Sequence, residues 1–200
     1  MSQIKLLHSG GNGVSIVAPD SNPASDRTLK LPSDVNSTID TLNRTHNVLQ
    51  VVQTALTTTV SQASSNTDYA AISGFTRSIT PSSSSNKVLV SVKIGCASAS
   101  TGDGIVFRLY KDGSEVSGAR GSGGSTYGHG AFIHYNKDSQ LMLYGGGFDY
   151  LDSPSASNQI TYQIYWASTT TGSTTRYINR RASSTGFTMI STITLWEIAA

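Results

Sequence analysis

The sequence predicts a mainly β protein with an extended N-terminal arm, a short helix and a C-terminal β-sandwich of jelly-roll type. Three observations predict it. Over a quarter of the 200 residues are serine or threonine and 19 are glycine, a composition that favours strands and turns over helices. From Gln50 onward, β-branched and aromatic runs of strand length alternate with short turn clusters, the pattern of an all-β sandwich. Before that point the pattern breaks twice, first into a Gly- and Pro-rich stretch and then into helical spacing.

The arm covers residues 1–32. Its core, "GGNGVSIVAPDSNPASDRTLKLPS", holds two short alternating runs, Val14-Ser15-Ile16-Val17 and Leu29-Lys30-Leu31, around the turn-forming "APDSNP". The two runs suit a loose hairpin. A lone hairpin is marginal in water, so the arm predicts a docking partner. Val14, Ile16, Val17, Leu29 and Leu31 are its anchor residues, suited to adding strands to an exposed edge.

Residues 33–50, "SDVNSTIDTLNRTHNVLQ", change period. Val35, Ile39, Leu42, His46 and Leu49 follow the a/d spacing of a heptad seam. Ser33 or Asp34 can cap the helix after Pro32. Threonine and asparagine are poor helix formers, so the segment needs packing, either against copies of itself or against the domain. A trimer on this seam gathers three His46 side chains on its axis, where a polar residue fixes register or holds an ion.

Residues 51–200 form the predicted head. "KVLVSVKIGC" reads as a strong strand, and "GIVFRLYKDGSEV" as a hairpin turning at Asp112-Gly113. "AFIHYN", "SQLMLYG" and "FDYLD" read as short strands. "NQITYQIYWAS" and "TRYINRR" read as a second hairpin around "TTTGSTT". "FTMISTITLWEIAA" closes the chain as a strand too apolar to be a free edge.

Charge narrows the function. Only 13% of residues are charged and the formal net charge is +2, which argues against a nucleic-acid partner held by phosphate neutralisation. No apolar run approaches the ~20 residues of a membrane helix, and "MSQIKLLHSGGNG" lacks the apolar run of a secretory signal. The expectation is a soluble protein made in a cytoplasm, without membrane insertion. Cys96 is the single cysteine, so no intrachain disulfide forms; its apolar run predicts a buried thiol.

Catalytic and cofactor patterns are weak, and the expectation is a non-enzyme with no cofactor and no metal. Ser84-x-x-Lys87 lies in a serine run where such matches are cheap. Asp149 and Asp152 are close in sequence, as paired glycan-hydrolysing carboxylates would be, but read as turn and cap residues. His129 and His134 are five apart, which on one strand places them on opposite faces. Arg176, Arg180 and Arg181 form a basic cluster open to two roles, contact with acidic glycans or pairing between subunits.

Taken in order, "GGNGVSIVAP…NPASDRTLKLPS", "VVQT…SITPSSSSNKVLVSV", "DSP…ITYQIYWAS", "YINRR" and "STITLWEIA" resemble virion structural and tail-fibre proteins of marine bacteriophages, especially cyanophages. The resemblance implies a particle component, commonly trimeric, attached by its N-terminus to other virion proteins of tail or capsid and projecting a β-rich head. The primary expectation is a short fibre or knob made in the host cytoplasm, whose head contacts a glycan or protein of the host surface. The alternative is a capsid decoration protein that ornaments or stabilises the shell. The glycine-rich loop at 118–130, with Arg120, Tyr127 and His129, is the expected recognition surface, because a loop on a rigid scaffold tolerates variation.

Overall fold

The computed structural model describes residues 3–7, 10–11, 13–17, 46–65, 67–98, 102–122, 129–136 and 143–200. The chain divides into two compact units, Met1–Asp40 and Thr41–Ala200. In the first, β1 (Gln3–Leu7) and β2 (Gly13–Val17) pair antiparallel, with Ile4 opposite Ile16 and Leu6 opposite Val14. Gly11 takes φ 92 between them, a backbone angle that costs glycine nothing. The hairpin therefore forms between the first apolar run and a strand N-terminal to it. Leu29 and Leu31, expected to supply the second strand, lie outside the described residues.

The second unit is a β-sandwich of two antiparallel sheets. The first sheet contains β3 (Val48–Leu56), β4 (Val60–Ser64), β6 (Lys87–Ser98), β10 (Tyr144–Asp152), β12 (Thr174–Ile178) and β13 (Ser191–Ile198). The second contains β5 (Ala70–Ile79), β7 (Asp103–Lys111), β8 (Ser114–Glu115), β9 (Phe132–Asn136) and β11 (Ile160–Ser168). Alternation decides what lies between them: Val88, Val90 and Val92 of β6 face Ile105, Phe107 and Leu109 of β7 and Ile164 and Trp166 of β11 in one buried cluster. Each large side chain so buried contributes about 1.5–3 kcal/mol.

The expected helix at 33–50 is corrected where it can be seen. Leu49 lies in strand β3, and His46 takes the left-handed φ 68 while its N–H donates to the Ala199 carbonyl at 3.0 Å. The run from Val48 to Val52 holds three β-branched valines and pairs with β13 at every residue but Leu49, which sits at a register shift; this pairing outweighs a helical spacing built on poor helix formers. The sandwich thus begins before residue 51. Val35, Ile39 and Leu42 lie outside the described residues.

Other expectations change with the topology. β11 and β12 do not form a hairpin, since β11 pairs with β5 and β7 while β12 pairs with β4 and β6; "TTTGSTT" crosses between sheets. "FDYLD" and the residues before it form one strand, β10. Within it Asp149 is exposed and Asp152 is buried, so the two carboxylates face opposite ways and neither is a turn residue. Asp152 accepts from Lys111 Nζ at 2.8 Å and from the Tyr162 hydroxyl at 2.6 Å. The Asp112-Gly113 turn and the central place of β13, between β3 and β6, are as expected. Cys96 is fully buried, and burial pushes its thiol up to about 12.

The first sheet is interrupted at one level. β12 and β13 run in line along β6, one opposite Cys96–Ser98 and the other opposite Lys87–Lys93. Between them the chain leaves the sheet from Asn179 to Ile190. Beside this break the outer strand is also broken, between Leu56 and Val60. Asn179 joins the two breaks. It is fully buried at φ 61, and its Nδ2 donates to the Leu56 carbonyl at 2.6 Å and the Thr58 carbonyl at 3.0 Å. Its Oδ1 accepts from Ser191 Oγ at 2.7 Å, and its N–H donates to the Gly95 carbonyl at 2.9 Å.

A second buried polar group pins the serine-rich loop at 82–85. Glu197 of β13 accepts from Ser82 N–H and Oγ, both at 2.7 Å, from Asn86 Nδ2 at 2.6 Å and from Gln50 Nε2 at 2.6 Å. Burial alone raises a carboxyl pKa; these four donors outweigh it and hold Glu197 below the usual range. The stabilisation is therefore complete above the unfolded-state pKa of ~4.3 and is lost as pH falls through the lower folded-state value. We expect a Glu197→Gln variant to be less stable at neutral pH and to lose part of the acid dependence below about pH 4.3. Urea unfolding midpoints at several acidic pH values read this directly, and parallel wild-type and variant curves would assign the acid sensitivity elsewhere.

Candidate recognition site

The outer face of the second sheet carries a joined set of aromatic and charged side chains. β7 alternates, so Phe107 and Leu109 enter the core while Arg108 and Tyr110 face out. The tight turn then folds β8 back, placing Glu115 opposite Tyr110 and within reach of Arg108. Arg108 Nη1 meets Glu115 Oε2 at 3.0 Å, and Arg108 Nε donates to the His129 carbonyl at 2.8 Å. Its guanidinium lies 3.8 Å from the Tyr69 ring centroid, a cation–π contact. Tyr110 stacks on Tyr165 of β11 with centroids 3.8 Å apart.

The expected loop residues join this set. The other oxygen of Glu115 pairs with Arg120 Nε at 2.9 Å. Arg120 Nη1 lies 3.4 Å from His129 Nδ1. Ser117, Arg120, Gly121, Ser122 and His129 enclose a hollow of about 290 Å³. Arg120 and His129, nine apart in sequence, are thus neighbours; Tyr127 lies outside the described residues. One carboxylate shared by two guanidiniums leaves a net positive charge, with serine hydroxyls and an imidazole at the rim. Burial raises the hydroxyl pKa of Tyr69 and of Tyr110, so both stay protonated at neutral pH. The arrangement offers hydrogen-bond donors, a positive charge and aromatic faces side by side.

The ends of the 118–130 segment are not free loop. Ala131 N–H donates to the Phe107 carbonyl at 2.8 Å and Gly121 N–H to the Gly130 carbonyl at 3.2 Å. A Cβ at Gly118 would stand 2.6 Å from the Tyr150 hydroxyl, and one at Gly130 would stand 2.7 Å from the Phe107 carbonyl oxygen. Both positions need glycine for close approach. The expectation that the whole segment is a simple surface loop is corrected at these two ends, which are fitted against the sandwich.

Sequence reasoning missed Tyr69, Arg108 and Glu115. The signal for two of them was present, since Arg108 falls on the outward alternation of "FRLYKDGSEV" and the turn brings Glu115 back beside it. The basic cluster is corrected as well, because its members separate. Arg176 is fully buried between the sheets, its guanidinium 4.9 Å from the Trp166 ring and its Nη1 donating to the carbonyl and hydroxyl of Ser64. Burial lowers its pKa to about 10, against the opposing charges of Asp103 and Asp68, so it remains a cation at neutral pH. Its alternation with Ile178, two residues on, was the available sign of an inward position. Arg180 and Arg181 lie on the excursion, against the rings of Tyr177 and Phe187.

No protein-family model and no curated protein matches the sequence. Among solved structures the chain is similar to the VP2 subviral particle of infectious bursal disease virus, at 11% identity and TM-score 0.39, over 76% of this chain and 38% of that one. It is also similar to a structure of the Gx strain of the same virus, at 10% identity and TM-score 0.37, over 95% of this chain and 47% of that one. The chain thus spans less than half the length of these structures, and values this low transfer neither role nor assembly to it.

Proposed function

We propose that this chain is a structural component of a bacteriophage particle, a homotrimeric short fibre or knob. The N-terminal unit anchors it to other virion proteins, and the sandwich is exposed to the host surface. The resemblance noted in the sequence supports the virion role. The joining of Arg108, Glu115, Arg120 and His129 beside paired tyrosines carries the recognition role. Aromatic faces stack on sugar rings, and the serine, arginine and imidazole groups suit sugar hydroxyls or a sugar carboxylate. The alternative reading is a decoration protein that ornaments or stabilises the capsid shell.

Two variants test the reading. A chain lacking residues 1–40 is expected to fold and to be missing from purified particles; normal incorporation would remove the anchor role. Arg120→Ala with His129→Ala is expected to weaken binding of the purified protein to host cells tenfold or so, the loss of about 1.4 kcal/mol, with an unchanged melting temperature. Undiminished binding would favour decoration, and cryo-electron microscopy of particles would then place the chain on the shell.

A further inference from the structure

The chain runs directly from the candidate recognition site into β9, an edge strand. Ala131 N–H bonds the Phe107 carbonyl, and Phe132–Asn136 then pair with Asp103–Phe107 of β7. The other edge of β9 has no partner strand among the described residues. Alternation turns Ile133 and Tyr135 to solvent and buries His134. The imidazole lies against the Tyr144 ring of β10, with centroids 4.1 Å apart. Its Nε2 is buried and makes no hydrogen bond among the described residues. A buried polar atom without a partner is rare enough to need a reason, and here it belongs to a titratable ring under the free edge of a sheet.

The groups around His134 suit a neutral ring and not a cation. β10 contributes the aromatic ring of Tyr144. β6 contributes Cys96, opposite Tyr144, a thiol that burial pushes up to about 12. β7 contributes Asp103, diagonal to His134 beyond Ile105. Asp103 Oδ1 already accepts from Ser168 Oγ at 2.8 Å, from Thr169 Oγ1 at 3.2 Å and from Gly104 N–H at 2.8 Å. Its charge also supports the buried cation Arg176. A proton on His134 would therefore add a second buried cation to a carboxylate that already serves one. A buried charge without its own partner is costly, and burial lowers the His134 pKa accordingly.

We propose that β9 is an acid-released latch on the candidate recognition site, opened when His134 takes a proton and leaves Tyr144 for water. The strand can follow its side chain outward, because the ladder to β7 is the one ladder that holds it among the described residues. His129 and Ala131 stand immediately before β9, so the movement pulls on the bond from Arg108 Nε to the His129 carbonyl, which ties the loop to the hairpin below. An opened strand presents an ordinary imidazole, of pKa ~6.5, and the closed strand a lower one. Opening is therefore negligible above that value and grows as pH falls below it, because the open form takes the proton first. This window lies above the one in which Glu197 takes up its proton. The consequence for the site rests on the recognition reading above; the latch itself does not.

Hydrogen exchange of the full chain at about pH 7.5 and about pH 5, corrected for the intrinsic pH dependence of amide exchange, reads the latch without a ligand. Opening of residues 131–136 is expected to rise by up to about 30-fold at the lower pH, the limit set by an open-state imidazole of pKa ~6.5. The amides of β11 should keep their protection. His134→Phe fills the same space without a proton site and is expected to abolish the rise, while His129→Gln keeps it. Should the phenylalanine variant not fold, His134→Gln gives the same reading. Unchanged corrected rates in the wild type, or a rise that survives in the His134 variant, would overturn the latch. Host-cell binding is expected to weaken at the lower pH in the wild type and not in the His134 variant. A strand that opens while binding stays equal at both pH values would overturn the coupling to recognition and leave the latch standing.

Discussion

Gly147→Ala is expected to destabilise the protein by ~3 kcal/mol or more, while Gly145→Ala, two residues away on the same strand face, changes stability by no more than ~0.5 kcal/mol. The contrast comes from what each new methyl group meets. At Gly147 it would stand 1.9 Å from the backbone carbonyl oxygen of Val92, on the strand that β10 must pair with. Neither partner can rotate away, so β10 has to leave β6 over several residues. At Gly145 the nearest atom is the terminal methyl of Met189 at 3.3 Å, the flexible end of a side chain that repacks at little cost. Chemical unfolding of the two variants in parallel reads the difference, and equal losses would mean that β10 can slide off β6 without penalty.

The second large effect is at Asn179. Its replacement by alanine removes both donors to the Leu56 and Thr58 carbonyls and the acceptor for Ser191. Each buried group left without a partner costs about 1–3 kcal/mol, and alanine adds ~1–2 kcal/mol for the left-handed backbone. A loss of ~3 kcal/mol or more is expected. Asn179→Gly relieves the backbone strain but does not restore the lost hydrogen bonds, so it should recover about 1 kcal/mol of that loss. If glycine restored wild-type stability, the side chain would be incidental and only the backbone angle would matter.

The strands of the sandwich were legible because their information is local. Alternation exposed β6 and β7, and Asp112-Gly113 marked a turn whose two positive φ angles the structure contains. What was hidden depends on partners distant in sequence. The spacing of Val35 to Leu49 is helical, yet Leu49 belongs to a strand because β13, some 145 residues later, offers nearly every residue of β3 a partner. The supposed hairpin of β11 and β12 failed for the same reason, since a short turn between two strands does not say whether they share a sheet. At the candidate recognition site, Arg120 and His129 stand out in the sequence by lying in a glycine-rich loop, while the groups that hold them, Glu115 and Arg108, come from the hairpin below. Arg176 shows the limit of reading charge as exposure: a guanidinium stacked on Trp166 can close the interior as a tryptophan's neighbour does.

One contact from the fold has a consequence for engineering. Ala199 N–H donates to the Asn47 carbonyl at 2.9 Å, and His46 N–H donates to the Ala199 carbonyl at 3.0 Å. The two ends of the sandwich are therefore neighbours, and a linker of a few residues would join them into a circle. New termini then belong in the excursion, near Gly186, where no Cβ neighbour closer than Ser184 Oγ at 3.2 Å constrains the chain and where the sheet is already interrupted. Circular permutants opened there should keep β12 and β13 on the same line of β6. Their termini would emerge at the break in the first sheet, at the end of β13 remote from Asn47 and Ala199.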